Sequence, residues 1–171
     1  MKYKKGRLAV VALLVFGFVG LMNTKFSPIL YYNQSASIPK GLYYSTSYDG
    51  TIEKGDIVVF NPPPDVAQFA FERGYLPHNY PMMKKVAATG GDEVLSTKDT
   101  FFAAGICLGP ISPVDSDGRE LKPYPYNHYI VKDNEIIVVG THEKSWDSRY
   151  YGPIPTDRVI TKVKPLYLAE E

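Results

Sequence analysis

The chain has 171 residues, a formal net charge of +1 and 22% charged residues, so it carries no polybasic field of the kind that binds nucleic acid. Its hydrophobic content of 44% is too high for a disordered chain. Fourteen tyrosines, fourteen glycines and fourteen prolines favour short strands and tight turns over long helices. The length allows one membrane segment and one domain with a single core. The lone Cys107 cannot form an intramolecular disulfide, and we expect it to be a small buried residue.

The N-terminus combines a basic cluster with an uncharged apolar run from Leu8 to Met22. Four cations precede this run: Lys2, Lys4, Lys5 and Arg7. The run fits either a short transmembrane helix or the apolar part of a cleaved signal peptide, and the missing small-residue cleavage pair favours the anchor. The positive-inside rule keeps the basic cluster in the cytoplasm. The sequence therefore predicts a cytoplasmic segment at 1–7, a single-pass anchor at 8–24, and a domain at 25–171 on the far side of the membrane, which is the periplasm if the membrane is a bacterial inner membrane.

Period-two alternation and turn residues predict five strands and one short helix behind the anchor. The predicted strands are Gly41 to Ser47, Asp56 to Phe60, Met82 to Ala88, Glu93 to Leu95 and Ile136 to Val139. The helix is predicted at Val66 to Arg73, with Asp65 as its N-cap and Gly74 as the left-handed residue that ends it. Residues 96–128 predict a meander or hairpin excursion, and residues 140–152 predict a loop. The fold class is therefore mainly β, a sheet or barrel with one short helix.

Ser37 is the candidate nucleophile, and it needs a base to remove the proton of its hydroxyl. The three histidines of the chain are scattered through polar loops: His78, His128 and His142. None of them is an evident partner for Ser37, and their scatter also argues against a metal site. The bases that remain are Lys84 and Lys85. The sequence predicts no cofactor.

Strand alternation distinguishes the two lysines. Lys84 shares one face of the predicted strand with Met82 and Val86, whereas Lys85 shares the other face with Thr89. The more apolar face favours Lys84 as the base, because burial lowers the pKa of an amine toward neutrality. Each motif alone has a plain structural alternative. Ser-Ala-Ser before a proline forms a turn, and paired lysines form a solvated edge strand.

Together these segments resemble the signal peptidase I superfamily, whose first motif is Ser-x-Ser followed closely by Pro, here Ser35-Ala36-Ser37-Ile38-Pro39. The resemblance implies that Ser37 is the nucleophile and Lys84 the general base. It also implies that the Ser35 hydroxyl helps the Ser37 backbone N–H to form the oxyanion hole. The fold implied is the signal-peptidase β-sheet or barrel domain.

The late segment Ser145-Trp146-Asp147-Ser148-Arg149 is similar to the Ser-x-Asp-Ser-Arg box of the same superfamily. The resemblance implies that Ser145 orients the lysine amine and that the Asp147–Arg149 pair supports the floor of the site. Two further segments, Glu72 to Pro77 and Asp115 to Arg119, resemble one branch, the TraF-type conjugative-transfer signal peptidases.

The resemblance implies a membrane-anchored serine endopeptidase that acts through an acyl-enzyme and cleaves after a small residue. In this branch the substrate is a pilin precursor, and some members join its ends into a ring. The implied partners are a pilin precursor or another exported protein, membrane lipid and the conjugative secretion apparatus, with no nucleic acid. Two alternatives stay open: a housekeeping leader peptidase, and a catalytically silent membrane-anchored scaffold of pilus assembly.

Overall fold

The computed structural model describes residues 29–97 and 99–169, which form two antiparallel sheets, two short α-helices and one 3-10 helix. The strands are β1 (Leu30–Asn33), β2 (Gly41–Ser45), β3 (Ile57–Phe60), β4 (Met82–Ala88), β5 (Glu93–Ser96), β6 (Thr100–Ala103), β7 (Ile106–Pro110), β8 (Tyr129–Ile130), β9 (Glu135–Val139), β10 (Ile154–Pro155) and β11 (Val159–Leu168). The helices are α1 (Pro64–Glu72), α2 (Ser148–Tyr151) and the 3-10 turn Thr156–Arg158.

The segments predicted at 1–7 and 8–24 lie outside the residues that the structure describes. Within residues 29–97 and 99–169, no helix has the length and apolar character needed to cross a membrane.

The larger sheet has seven strands in the order β1-β2-β11-β3-β4-β9-β10. Its longest strand, β11, pairs with both β2 and β3 and buries the alternating residues Val159, Thr161 and Val163. The pairing with β2 shifts register between Pro165 and Tyr167, as expected where a proline cannot donate to the ladder. Inside this sheet β4 pairs with β3 on one side and with β9 on the other. The side chains on its inward face are buried in the core.

The smaller sheet has four strands in the order β7-β6-β5-β8. Its buried residues Val94, Phe101 and Ala103 join one hydrophobic cluster with Ala88 and Ile137 of the larger sheet. The two sheets therefore share a core, and the turn after β4 carries the chain directly from one sheet to the other.

The structure confirms the mainly β class and the five predicted strands. The strand Met82–Ala88 has the predicted ends, and the other four differ by one or two residues at an end. The excursion at 96–128 contains the predicted hairpin, formed by β6 and β7. The strands β1, β8, β10 and β11 were not predicted. Cys107 was expected to be buried but is exposed, because it lies on β7 at the edge of the smaller sheet.

Two predictions about helices were wrong. The first helix begins at Pro64 with Pro63 as N-cap, so Asp65 lies in the first turn and does not cap. Proline favours this position because it needs no N–H there, and an acidic group in the first turn suits the helix dipole. The second error is that the predicted loop contains α2, a four-residue helix. Gly74 ends α1 with a φ of +70°, as predicted.

The excursion is fastened to the end of α1 by a buried carboxylate. Asp115 accepts hydrogen bonds from the Tyr75 hydroxyl at 2.5 Å, Arg73 at 3.1 Å and Arg119 at 2.8 Å. Its side chain is 4% exposed, and although burial opposes ionisation, the hydrogen bonds from Tyr75 and Arg119 hold its pKa well below the usual range. The Tyr75 ring lies 5.4 Å from the ring of Trp146, so this cluster also supports the loop before α2.

We predict that Asp115→Ala lowers the Tm of the detergent-solubilised chain by several degrees, because two arginines lose the carboxylate that they share. Asp117→Ala is the matched control. Its carboxylate also pairs with Arg119 but is 65% exposed, so the Tm should move by only about 1 °C. Equal melting temperatures for the two variants, measured by circular dichroism, would contradict a structural role for Asp115.

Candidate active site

Strand β4 places one lysine in the core and the next on the surface. Its burial alternates along the strand, so Met82, Lys84 and Val86 point inward while Lys85 is exposed. Lys84 is 4% exposed and lies between the neighbouring strands β3 and β9. The apolar face predicted for Lys84 is therefore the buried face of the strand.

The Lys84 amine has one hydrogen-bond partner among the described residues, the Ser145 hydroxyl oxygen at 2.8 Å. Burial lowers the pKa of Lys84 to about 8, because an ammonium loses its hydration in the core. The Asp147 carboxylate acts in the opposite direction and favours the charged form, whereas the Arg149 guanidinium lowers the pKa further. A substantial fraction of the amine is therefore neutral near pH 8, which is the form able to accept a proton.

Asp147 and Arg149 form a fully buried ion pair beneath this amine. The Arg149 Nε and Nη2 atoms each donate to a different carboxylate oxygen of Asp147 at 2.8 Å. Asp147 also accepts from the backbone N–H of Arg149, which makes it the N-cap of α2. Such a two-pronged pair satisfies most of the polar atoms that burial removes from water.

The remaining Arg149 donors reach backbone carbonyls at the end of β7 and on the loop before α2. The acceptors are the carbonyl oxygens of Pro110, His142, Glu143 and Ser145, at 3.0 to 3.4 Å. One buried guanidinium thus ties the loop that carries Ser145 to the end of β7. This geometry fixes the position of the hydroxyl that contacts Lys84.

Gly140 is the point where the nucleophile loop meets this lysine loop. A Cβ added at Gly140 would lie 2.1 Å from the Ser145 hydroxyl oxygen and 2.6 Å from the Ser37 carbonyl oxygen. The next residue, Thr141, donates its backbone N–H to the same Ser37 carbonyl at 2.6 Å. Only glycine leaves room for this approach. The backbone of Ser37 and the Lys84–Ser145 pair are therefore adjacent.

Ser37 is half-buried in the loop between β1 and β2. Within residues 29–97 and 99–169, no direct hydrogen bond joins its hydroxyl to the Lys84 amine. Catalytic hydrogen bonds often form only when substrate binds, so the free enzyme does not need a direct Ser37–Lys84 contact. Ser35 is exposed, and its hydroxyl donates to the Asn33 side-chain oxygen at 3.0 Å. Its role as an oxyanion donor stays a prediction.

The sequence analysis missed three residues that shape the site: Asn33, Gly140 and Thr141. Gly140 had a readable signal, since a glycine directly after an apolar strand marks close backbone approach or a turn. Asn33 and Thr141 had none, because their partners are loop atoms whose positions depend on the fold.

The described part of the chain contains no group of three or more His, Cys, Asp or Glu side chains placed to hold a metal ion. A surface cleft of about 420 Å³ lies beside α1 and is lined in part by Pro64, Gln68 and His78. It includes none of the predicted site residues.

Comparisons with known proteins identify the family of this chain. Residues 3–168 match the family described as "Signal peptidase, peptidase S26". The chain is 35% identical over 144 residues to the plasmid transfer protein TraF of Escherichia coli, covering 78% of this chain and 80% of that protein. It is 29% identical over 144 residues to the conjugal transfer protein TraF of Agrobacterium tumefaciens, covering 79% and 80%. A solved signal peptidase I of Enterococcus faecalis matches 67% of this chain and 97% of its own, at 17% identity and a TM-score of 0.41. The chain belongs to the peptidase S26 family of signal peptidases.

Proposed function

We propose that this protein is a Ser-Lys endopeptidase that matures an exported precursor, with Ser37 as the nucleophile and Lys84 as the general base. One observation carries the proposal. The buried Lys84 amine has a pKa lowered to about 8 and contacts Ser145, and the Ser145 side chain and the Ser37 carbonyl both lie against Gly140. A lysine is seldom buried in this way without a chemical role, because its charged form is costly in a core.

In the proposed mechanism the neutral Lys84 amine takes the Ser37 proton while the hydroxyl oxygen attacks the scissile carbonyl. The Ser37 backbone N–H and the Ser35 hydroxyl stabilise the oxyanion that forms. Lys84 then returns the proton to the leaving amine, and water hydrolyses the acyl-enzyme by the reverse route. Ser145 holds the amine in place throughout by its 2.8 Å hydrogen bond.

The substrate that we propose is a conjugative pilin precursor, cut after a small residue. Its support is the similarity to the TraF proteins, one a plasmid transfer protein and the other a conjugal transfer protein. The proposal extends to ring closure of the cleaved pilin and to contact of the enzyme with the conjugative secretion apparatus. Co-expression with a pilin precursor, followed by intact mass, tests cleavage and distinguishes a ring from a linear product. Processing of many unrelated exported precursors would instead favour a housekeeping leader peptidase, and no processing would favour a silent scaffold.

We propose that residues 8–24 anchor the protein in a bacterial inner membrane and that residues 25–171 face the periplasm. Support comes from the basic cluster ahead of the apolar run and from the conjugal transfer relatives. This placement brings the site to the side of the membrane where exported precursors emerge.

We predict that Ser37→Ala and Lys84→Met each abolish processing, because acylation needs the hydroxyl and its base together. Lys84→Met keeps the length of the side chain and removes a costly buried amine, so its Tm should equal or exceed that of the wild type. Lys85→Ala is the matched control and should retain most activity, since Lys85 is exposed. Equal loss in Lys84→Met and Lys85→Ala, with both folded, would contradict the assignment of the base.

A further prediction concerns the pH dependence of cleavage. Cleavage should rise with pH through a midpoint near 8 and then level off, because only the neutral Lys84 amine accepts the serine proton. The midpoint lies below the ordinary lysine pKa of about 10.4, since burial disfavours the ammonium. The measurement is kcat/KM for a synthetic peptide from pH 6 to 11. A rate that still climbs at pH 10 would exclude a buried Lys84 as the base.

We predict that Arg149→Ala lowers Tm and activity together, because it leaves the buried Asp147 carboxylate uncompensated. The pH midpoint of the residual activity should also rise, since an unneutralised Asp147 favours the charged form of Lys84. Lys144→Ala is the control, as it removes an exposed cation from the same loop. An unchanged Tm in Arg149→Ala would make this arginine a substrate contact instead.

The last prediction of this kind concerns the orientation of the chain in the membrane. An alkaline phosphatase fused after Glu171 should be active, because that enzyme folds only outside the cytoplasm, and β-galactosidase at the same position should be silent. The reverse pattern of reporter activities would place the peptidase domain in the cytoplasm.

A further inference from the structure

The loop that carries Ser37 closes around the side chain of Asn33. Asn33 is the last residue of β1 and pairs with Gly41 at the start of β2, so it stands at the mouth of the loop formed by residues 34–40. Asn33 is 8% exposed, although the loop around it is largely exposed. A polar amide is buried at low cost only when its hydrogen bonds are satisfied, so its partners show what holds it inside an exposed loop.

The Asn33 amide is satisfied by the loop itself. Its two N–H groups are shared among three backbone carbonyls, those of Ser35 at 2.9 Å, Ile38 at 2.9 Å and Pro39 at 3.1 Å, so that one N–H has two acceptors. Its oxygen accepts from the backbone N–H of Ser35 at 3.2 Å and from the Ser35 hydroxyl at 3.0 Å. The orientation of the amide is fixed by these partners, because three carbonyls can only accept. The contacts flank Ser37 on both sides.

Other contacts hold the second half of the same loop, from Ser37 to Pro39. Ile38 is buried in a cluster with Tyr43, and the Tyr43 hydroxyl donates to the Pro39 carbonyl at 2.7 Å. On the outer side, Thr141 donates its backbone N–H to the Ser37 carbonyl. Asn33 is the one side chain among the described residues that hydrogen-bonds the backbone both before and after Ser37. Its removal would take this donor from the Ser35 and Ile38 carbonyls and would leave the Pro39 carbonyl with the Tyr43 hydroxyl.

We propose that Asn33 is the positioning residue of the nucleophile: it sets the path of the Ser37 loop and, in the free enzyme, holds the Ser35 hydroxyl away from the oxyanion hole. This inference rests on the proposed function. A hydroxyl has one proton, so Ser35 cannot donate to Asn33 and to an oxyanion at once. Ser35 therefore exchanges the Asn33 oxygen for the substrate oxyanion when the tetrahedral intermediate forms on the way to the acyl-enzyme. Asn33 keeps the loop in shape during that exchange through its three carbonyl contacts.

This role separates Asn33 from the lysine half of the site. The pKa of Lys84 is set by burial and by Asp147 and Arg149, none of which contacts Asn33. A change at Asn33 should therefore lower the rate constant of acylation without moving the pH midpoint. A displaced nucleophile can lower a rate by roughly 10²-fold.

The test uses Asn33→Ala and Asn33→Asp in the full detergent-solubilised chain. The aspartate has nearly the same shape, but it turns a carboxylate oxygen toward three carbonyls. Gln34→Glu is the matched control, since it makes the same change of amide to carboxylate at the next, exposed residue. Active sites are counted by stoichiometric labelling of Ser37 with a serine-reactive probe, so that unfolded protein does not contribute to kcat.

We expect kcat per labelled site to fall roughly 10²-fold in both Asn33 variants, with KM and the pH midpoint unchanged. Gln34→Glu should behave as wild type. Wild-type kcat per site in Asn33→Asp would overturn the inference, and so would a loss confined to the number of labelled sites.

Hydrogen exchange tests the positioning without any catalysis. In Asn33→Ala the Thr141 amide should exchange faster, because its acceptor on Ser37 is no longer held in place. The Gly140 amide donates to Asp147 at 2.8 Å and should keep its protection, which makes it an internal control. Unchanged protection of Thr141 would refute the role of Asn33. An inactive wild type would refute the proposed function, and the exchange comparison would still decide this inference.

Discussion

The rest of the site depends on the burial of one amine. Lys84 lies inside the larger sheet, and Ser145 is its one hydrogen-bond partner among the described residues. An ammonium there would leave two N–H donors unsatisfied, whereas a neutral amine leaves one donor and a free lone pair. The surroundings thus favour the form that has an electron pair to accept a proton. The cost of holding Lys84 in the core and its value as a base have the same physical origin.

A buried carboxylate near such an amine would ordinarily reverse this effect. Asp147 raises the pKa of Lys84, and the fully buried Arg149 counters it while satisfying the carboxylate oxygens. The pair can therefore cap α2 and accept from the Gly140 N–H without converting Lys84 into a stable ammonium. The fold needs the Asp147 carboxylate as a hydrogen-bond acceptor, and the chemistry needs the charge of that carboxylate compensated by Arg149. A neutral residue in place of either side chain would therefore meet only one of these two needs.

The sequence predicted those parts of the protein in which local pattern and fold agree. The strand with Lys84 was predicted at its observed bounds because alternating burial is a property of the strand itself. The strand β11 was missed, since Lys164 and Pro165 interrupt its pattern and its pairing with β2 and β3 joins distant parts of the chain. The helix α2 has only four residues, too few for a periodic signal. Residues such as Asn33 and Thr141 could not be found, because their partners are backbone atoms placed by tertiary structure.

The two loops of the site share one design. A single buried polar side chain organises each of them by donating to backbone carbonyls: Asn33 in the Ser37 loop and Arg149 in the Ser145 loop. The loops meet at Gly140, where no side chain intervenes. Their geometry therefore depends on directional hydrogen bonds more than on apolar packing, which tolerates small shifts. Core substitutions should consequently reduce stability before they reduce catalysis, whereas loss of Asn33 should act on catalysis first and loss of the fully buried Arg149 should lower both together.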